Sequence, residues 1–275
     1  MKIVVINLDK SVDRMNNMSN QLKELNLRYS RFSAVNGKEL RNIDSHTSLL
    51  CQKLLCNKSM VGCALSHLQV LTDFLKTKDD FICVMEDDLK ISSMLPDFLS
   101  TIPMIFSNVQ FDIISLYCVG MCFGIELFHI KNYKVIKPIF PLTTSCYVVS
   151  RKGAETIIHL LGDKVNYHVD FSIAINNLKG TINYFSLHTP QLITTINQDS
   201  TIGTKSKSII LKTVDTMQLN FVSWLLNTPI MCIDLKHTIS VYMLILLIVF
   251  LVGVCKKLYF LTVFALIEII LMTMS

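Results

Sequence analysis

Three acids in a row close an apolar run: Phe81-Ile82-Cys83-Val84-Met85 is followed at once by Glu86-Asp87-Asp88. Adjacent carboxylates repel, and a cation or protons must relieve that repulsion. Carboxylate oxygens suit a hard divalent ion, Mg²⁺ or Mn²⁺, which can also bridge the oxygens of a diphosphate. Side chains alternate along a strand, so Glu86 and Asp88 are expected on one face and Asp87 on the other. On spacing alone the plainer reading of such a turn is a solvated helix cap. His67 and His188 read as structural histidines, since neither has a partner at metal-ligand spacing. Lys205, Lys207 and Lys212 have the reach to meet a diphosphate, although a solvated basic segment is the simpler account.

The elements that must position these residues read as an α/β domain. Lys2 to Leu8 is β-branched and apolar, as a buried strand should be. Ser11 or Asp13 then caps a helix in which Met15, Met18, Leu22 and Leu25 recur at helical spacing. Tyr29 to Val35 returns as a strand and stops at Asn36-Gly37. Ser59 to Leu75 is a helix, and the strand it feeds delivers the three acids at its C-terminal end, where open α/β sheets place their ligand crevice. Further strands are expected over Asp112–Val119, Cys146–Ser150 and Gln191–Ile196, with a helix over Arg151–Leu161 and a polar loop over Gln198–Ser208.

Composition adds a second theme. The chain is 51% hydrophobic and 17% charged, with a mean hydropathy of +0.46, too apolar for an ordinary enzyme of this size. The excess sits at the end, in Ile239–Cys255 and Leu258–Met274 around Lys256-Lys257. Each stretch meets the lower limit of about 17 residues for a membrane span, and Trp224 suits an interfacial anchor. We therefore expect residues 1–235 to be the catalytic domain and 236–275 a membrane-associated tail of one or two spans. The N-terminal apolar run is too short for a signal-peptide core, which puts the catalytic domain on the cytoplasmic side of that membrane. Nine cysteines, an odd count without a CxxC pair, suggest reduced, buried thiols rather than disulfides or a zinc site. A net charge of +5 without a dense basic run does not imply nucleic-acid binding. The absence of Walker-type and G-x-G-x-x-G loops argues against kinases and dehydrogenases.

An ordered set of segments resembles glycosyltransferase family 25. INLDKSVDRMNNMSNQL (Ile6–Leu22) and RFSAVNG (Arg31–Gly37) resemble its opening, and GCALSH (Gly62–His67) precedes MEDD (Met85–Asp88) by about one helix, as in the family. TTSCYVVSRKGAETII (Thr143–Ile158), Asp170 and QDSTI (Gln198–Ile202) follow in the family's order. Departures are Asn36-Gly37 where Asp-Gly is common, and Ser59-Met60-Val61 in place of an acidic approach to the second motif.

The resemblance implies a GT-A-like, Rossmann-type nucleotide-sugar-binding domain with a mostly parallel central sheet, carrying membrane helices at its C-terminus. It implies an inverting transfer of a hexose, with galactose one candidate, from a UDP-sugar to a saccharide or protein hydroxyl. By that likeness Asn7, Asp9, Arg14, His67 and Asp87 serve the donor, and Glu86 and Asp88 hold Mn²⁺ or Mg²⁺. His188 completes the metal shell, and Asp170 is the general base with Asp112 in reserve. Partners are then a nucleotide-sugar donor, an acceptor and a membrane. Two other classes fit the residues: an inactive, donor-binding membrane scaffold, and a nucleotidyltransferase that also holds metal on acids after a strand.

Overall fold

The structure is a computed structural model that describes residues 1–41, 45–51, 56–118, 120–162, 164–189, 192–196, 208–217, 220–227, 229–232 and 238–273. β1 (Lys2–Asn7) leads through α1 (Val12–Glu24) to β2 (Ser30–Ser33). A 3₁₀ turn (Gly37–Glu39) and α2 (Lys58–Leu75) bring the chain to β3 (Phe81–Glu86), β4 (Leu89–Ile91), α3 (Leu95–Asn108) and β5 (Ile113–Ser115). The hairpin of β6 (Gly120–Ile130) and β7 (Tyr133–Pro141) precedes β8 (Cys146–Ser150), α4 (Arg151–Leu161) and α5 (Val169–Leu178). β9 (Tyr184–Thr189) and β10 (Ile193–Thr195) follow. The chain ends with α6 (Ile209–Thr216), α7 (Asn220–Asn227), β11 (Pro229–Cys232), β12 (Thr238–Ser240), α8 (Val241–Cys255) and α9 (Tyr259–Thr273).

An eight-stranded sheet in the order β2-β1-β3-β8-β5-β9-β7-β6 forms the centre. Its strands alternate side chains between two cores, as the period of two requires. Ile3, Val5, Cys83, Met85 and Val148 face the core that includes Met18 and Leu22 of α1 and Phe98 of α3. Val4, Ile6, Ile82, Val84 and Val149 face the one built with Val61 and Leu71 of α2 and Ile157 of α4. Helices therefore cover both faces. Isolated from this sheet, β10 pairs with β4 just beyond the acidic turn, and the backbone N–H of Ile196 donates to Asp88 O at 2.8 Å.

The sheet is mixed, not mostly parallel. β1 runs parallel to β2 and β3, and β5 to β9, but the pairs β3–β8, β5–β8, β7–β9 and β6–β7 are antiparallel. The reason lies in the connections. Parallel neighbours need a crossover of a dozen residues or more, usually a helix. α1 and α2 supply such crossovers early, whereas among the described residues no helix forms between Ser115 and Cys146.

The C-terminal expectation is overturned. Thr238–Ser240 is β12, so the first apolar stretch becomes helical only at Val241, and Lys257 at φ 56° breaks the run into two helices of 15 residues each. At 1.5 Å per residue each is about 22 Å long, against a hydrocarbon core of about 30 Å. Among the described residues no helix is long and apolar enough to cross a membrane. The expectation of membrane spans, and with it of a catalytic domain held on the cytoplasmic side of a membrane, is therefore not met among the described residues. α8 and α9 instead pack as a hairpin, with Gly253 so close to Thr262 that a Cβ there would lie 2.5 Å from its Oγ1. Tyr242, Leu246 and Ala265 share a small core with Leu211 of α6.

Two disulfides also depart from expectation. Cys51 bonds Cys56 and Cys118 bonds Cys122, across separations of five and four residues. The Cα atoms of the pairs lie 4.8 and 5.9 Å apart, within bonding distance, which cysteine counting does not reveal.

Candidate functional site

The chain runs from β1 through α1 to β2 on one side, then returns through α2 to lay β3 on β1's other side. The connections thus diverge above β1 and β3, with α1 on one face of the sheet and α2 on the other. Such a switch point leaves a crevice at the carboxyl ends of the strands. An open cleft lies there, as small-molecule sites of open α/β sheets do. One wall is Glu86, Asp87 and Asp88 at the end of β3; the others come from Ser11 and Arg14 of α1's start, Ala34–Lys38 after β2, and Cys63, Ser66 and His67 of α2.

Two glycines let the walls meet. A Cβ on Gly62 would stand 2.5 Å from Val35 O and 2.6 Å from Gly37 N, and one on Gly37 would strike the Lys58 carbonyl. The Asn36-Gly37 stop therefore also lets the loop after β2 lie against the first turns of α2. Asn57 caps that helix, its Oδ1 accepting from Met60 N at 2.9 Å. The N–H of Val35 donates to Ser66 Oγ at 2.9 Å, tying loop to helix.

The three acids have different surroundings. Asp87 is buried and bonded on both oxygens: Asn7 Nδ2 donates to it at 2.6 Å and Arg14 Nη1 at 3.2 Å. Asn7 is itself held by Arg31 Nε, which donates to its Oδ1 at 2.8 Å. Asp88 has no such company. Its Oδ1 is buried and has no hydrogen-bond partner. Burial, with the Glu86 charge adding to it against the opposing pull of Arg14, pushes its carboxyl up to about 6. Glu86 is partly open to the cleft, with Oε1 3.6 Å from His67 Nε2.

His67 is buried, 2% exposed, and Nδ1 lies 3.0 Å from the Tyr147 hydroxyl. Nε2 has no hydrogen-bond partner. The donor atoms of Cys63, His67 and Glu86 lie within 4.8 Å of one another. Sequence spacing gives His67 no ligand partner, whereas the fold brings it two. A partial signal is nonetheless present, for Cys63 and His67 are four apart on a helix and so share a face. Burial, reinforced by the charges of Glu86 and Asp170, raises the Cys63 thiol well above its ordinary range.

Asp170 opens α5 and reaches the same edge of the sheet from behind β8. Thr144 Oγ1 donates to its Oδ1 at 2.6 Å, while the neighbouring Ser145 O accepts from Glu86 N at 2.8 Å. His168 Nδ1 accepts from the N–H of Asp170 and stands 3.5 Å from its Oδ2. Asp170 keeps free lone pairs and is 12% exposed. The reserve base does not share this edge: Asp112 lies before β5, at the opposite end, where its Oδ2 accepts from Asn183 N at 2.8 Å.

The other expected residues scatter. Asp9 is exposed, accepting from Arg31 and from Ser33 Oγ, the latter at 2.8 Å; these bonds hold its carboxyl below the usual range. His188 is exposed near the end of β9, three strands from β3, about 14 Å away at the usual strand spacing. Lys212 is exposed on α6; Lys205, Lys207, Gln198–Ile202 and the side chain of Trp224 lie outside the described residues.

Comparison with known proteins gives a family match. The model of glycosyltransferase family 25, described as an LPS biosynthesis protein, matches residues 1–173, a span that contains the acidic turn and Asp170 but not His188. No curated protein matches. Among solved structures, A197 from STIV aligns over 72% of this chain and 94% of its own at 12% identity and a TM-score of 0.37. A glycosyltransferase involved in glycosylation of the major capsid of PBCV-1 aligns over 72% and 93% at 10% identity and a TM-score of 0.40. A putative glucose-1-phosphate thymidylyltransferase from Bacillus anthracis aligns over 70% and 69% at 15% identity and a TM-score of 0.33.

Proposed function

Because the chain belongs to glycosyltransferase family 25, we propose that this glycosyltransferase is an inverting enzyme taking a hexose from a UDP-sugar to a saccharide or protein hydroxyl, with a divalent cation at Glu86 and Asp88. The observation that carries the reading is the buried, unpartnered Oδ1 of Asp88 beside Glu86 in the switch-point cleft. Two neighbouring carboxylates with unmet acceptor capacity, one desolvated, fit a hard cation. A Mn²⁺ or Mg²⁺ ion held there would offset charge on the departing diphosphate, a contribution of several kcal/mol.

The chain's own residues account for the rest. Asn7 and Arg14 donate to Asp87 and so hold the turn that presents Glu86 and Asp88. Lys10 and Lys38 at the rim bring positive charge to the diphosphate end of the donor. Asp170 takes the proton of the acceptor hydroxyl as oxygen attacks the anomeric carbon from the face opposite UDP. General base catalysis of this kind is worth about 10²–10⁴-fold. Thr144 orients the carboxylate through its bond to Oδ1 and leaves Oδ2 for the proton. We place the transferase in residues 1–235, with the α8–α9 hairpin as an appendage.

The test is release of UDP from a panel of UDP-sugars by the full chain, with Mn²⁺ or with chelator. Metal-dependent release that falls by about 10²–10⁴-fold in Asp170→Asn while donor affinity holds supports the assignment. Binding of UDP without release would make the chain a donor-binding scaffold. Turnover of nucleoside triphosphates would make it a nucleotidyltransferase.

A further inference from the structure

We infer that the floor of the cleft holds a second, softer cation site, with Cys63 Sγ, His67 Nε2 and Glu86 Oε1 as ligands for a zinc-class ion. Three donor types, sulfur, imidazole nitrogen and carboxylate oxygen, converge within 4.8 Å. Two ligands at about 2.1 Å from a tetrahedral ion stand roughly 3.4 Å apart, and His67 Nε2 lies 3.6 Å from Glu86 Oε1. That separation is too long for a hydrogen bond, so Nε2 stays buried without a partner while aimed at a carboxylate. Burying an imidazole nitrogen unpaired is costly, and a cation between the two groups removes the cost. The Tyr147 hydroxyl at 3.0 Å from Nδ1 fixes the ring, the usual arrangement around a ligating histidine.

The donor set decides the class of ion. Thiolate with imidazole suits zinc-like ions, whereas Mg²⁺ and Mn²⁺ prefer oxygen alone. Three protein ligands leave a fourth position facing the cleft. The ion would take the Cys63 thiol as thiolate, and the released proton leaves to solvent, so binding tightens as pH rises. On the proposed function, Glu86 is also offered to the donor's cation, and the two ions compete for it. Binding at the triad itself does not rest on that function.

Co²⁺ titrated into the full chain without sugar donor provides the test. The expected result is one Co²⁺ per chain with an intense thiolate-to-metal absorption band, bleached by Zn²⁺. Cys63→Ser should abolish the band, and Tyr147→Phe should keep it while weakening affinity by about 10–100-fold. Cys255→Ser, at an exposed thiol on the far hairpin, should change nothing. A wild-type complex lacking the band, or a band that survives Cys63→Ser, overturns the site whatever the variants' folding. No donor or transfer is measured, so failure here leaves the transferase reading standing, and failure of UDP release leaves this site standing.

Discussion

Two acids, Glu268 buried whole and Asp88 with one buried oxygen, show what separates a carboxylate whose bonds are met from one whose bonds are not. Glu268 of α9 is fully buried, and every direction around it is met: Ser208 Oγ donates to Oε2, Tyr242 OH donates to Oε2 at 3.1 Å, and Ile209 N donates to Oε1 at 3.1 Å. Those bonds pin the α8–α9 hairpin to the start of α6. Asp88 has a buried oxygen without any partner, a like charge beside it, and a cleft in front of it. Satisfied acids hold a fold together; on the proposed function the unsatisfied one in the crevice is kept for a ligand. The same contrast appears within one turn, where Asp87 is bonded by Asn7 and Arg14 and its neighbours are not.

The sharpest way to break the comparison is to neutralise Asp88. Asp88→Asn should lower Mn²⁺-dependent transfer by about 10³-fold, or roughly 4 kcal/mol of transition-state stabilisation. It should leave the metal-free protein at least as stable at neutral pH, because it removes an uncompensated charge. Calorimetry and UDP release on the same sample would check both. Glu268→Ala should do the reverse. With three donors stranded, the hairpin should lose about 3–5 kcal/mol, read as a lower denaturation midpoint, while turnover per folded molecule stays level.

Asp88 also gives stability a pH dependence. The Asp88 carboxyl is raised from 3.8 to about 6 in the folded chain, so the fold binds its proton more tightly than the unfolded chain does. Its stabilising contribution is whole below about pH 3.8 and is lost as pH rises through 6. At 1.36 kcal/mol per unit that loss comes to about 3 kcal/mol. A cation that neutralises Asp88 should cancel it, so melting curves with and without Mn²⁺ should diverge above pH 6 and merge near pH 4. Curves that stay parallel across this range would mean that Asp88 meets no cation.

How much of this could be read from the residues depends on whether the cause was local. The strand–helix–strand opening, the helix over Ser59–Leu75 and the acidic strand end followed from periodicity and turn chemistry, and all are present. Family order carried the transferase identity. The mixed sheet was not legible, because strand direction after Ser115 depends on the missing helical crossover rather than on any strand's own sequence. The tail misled for a related reason. Hydropathy counts Ile239 and Ser240 with the helix, whereas pairing in β12 takes them away and Glu268 finds partners from a segment 60 residues earlier. Cys63 and His67 were visible as a pair four apart, but Glu86 comes to them only through the packing of α2 beside β3.

Helix caps allow the finest version of the comparison, since one residue of the same role serves each region. Asn57 Oδ1 accepts from Met60 N at 2.9 Å at the start of α2, and Ser240 Oγ accepts from Met243 N at 3.2 Å at the start of α8. Replacing either by Ala should cost about 1 kcal/mol, a fall in melting temperature of about 2–4 °C. The functional consequences should differ. α2 carries Cys63, Ser66 and His67 on the turns just after its cap, and its first turn lies against Gly37 and Val35 of the cleft wall. Loosening that turn should weaken Mn²⁺ and UDP binding by a few-fold, about 0.5–1 kcal/mol. The described core partners of α8, Leu211 and Ala265, are not among the cleft-lining residues, so Ser240→Ala should leave both affinities unchanged. Equal losses of stability with equal losses of binding would mean that the hairpin and the cleft respond as one unit, and the division drawn between the two acids would fail.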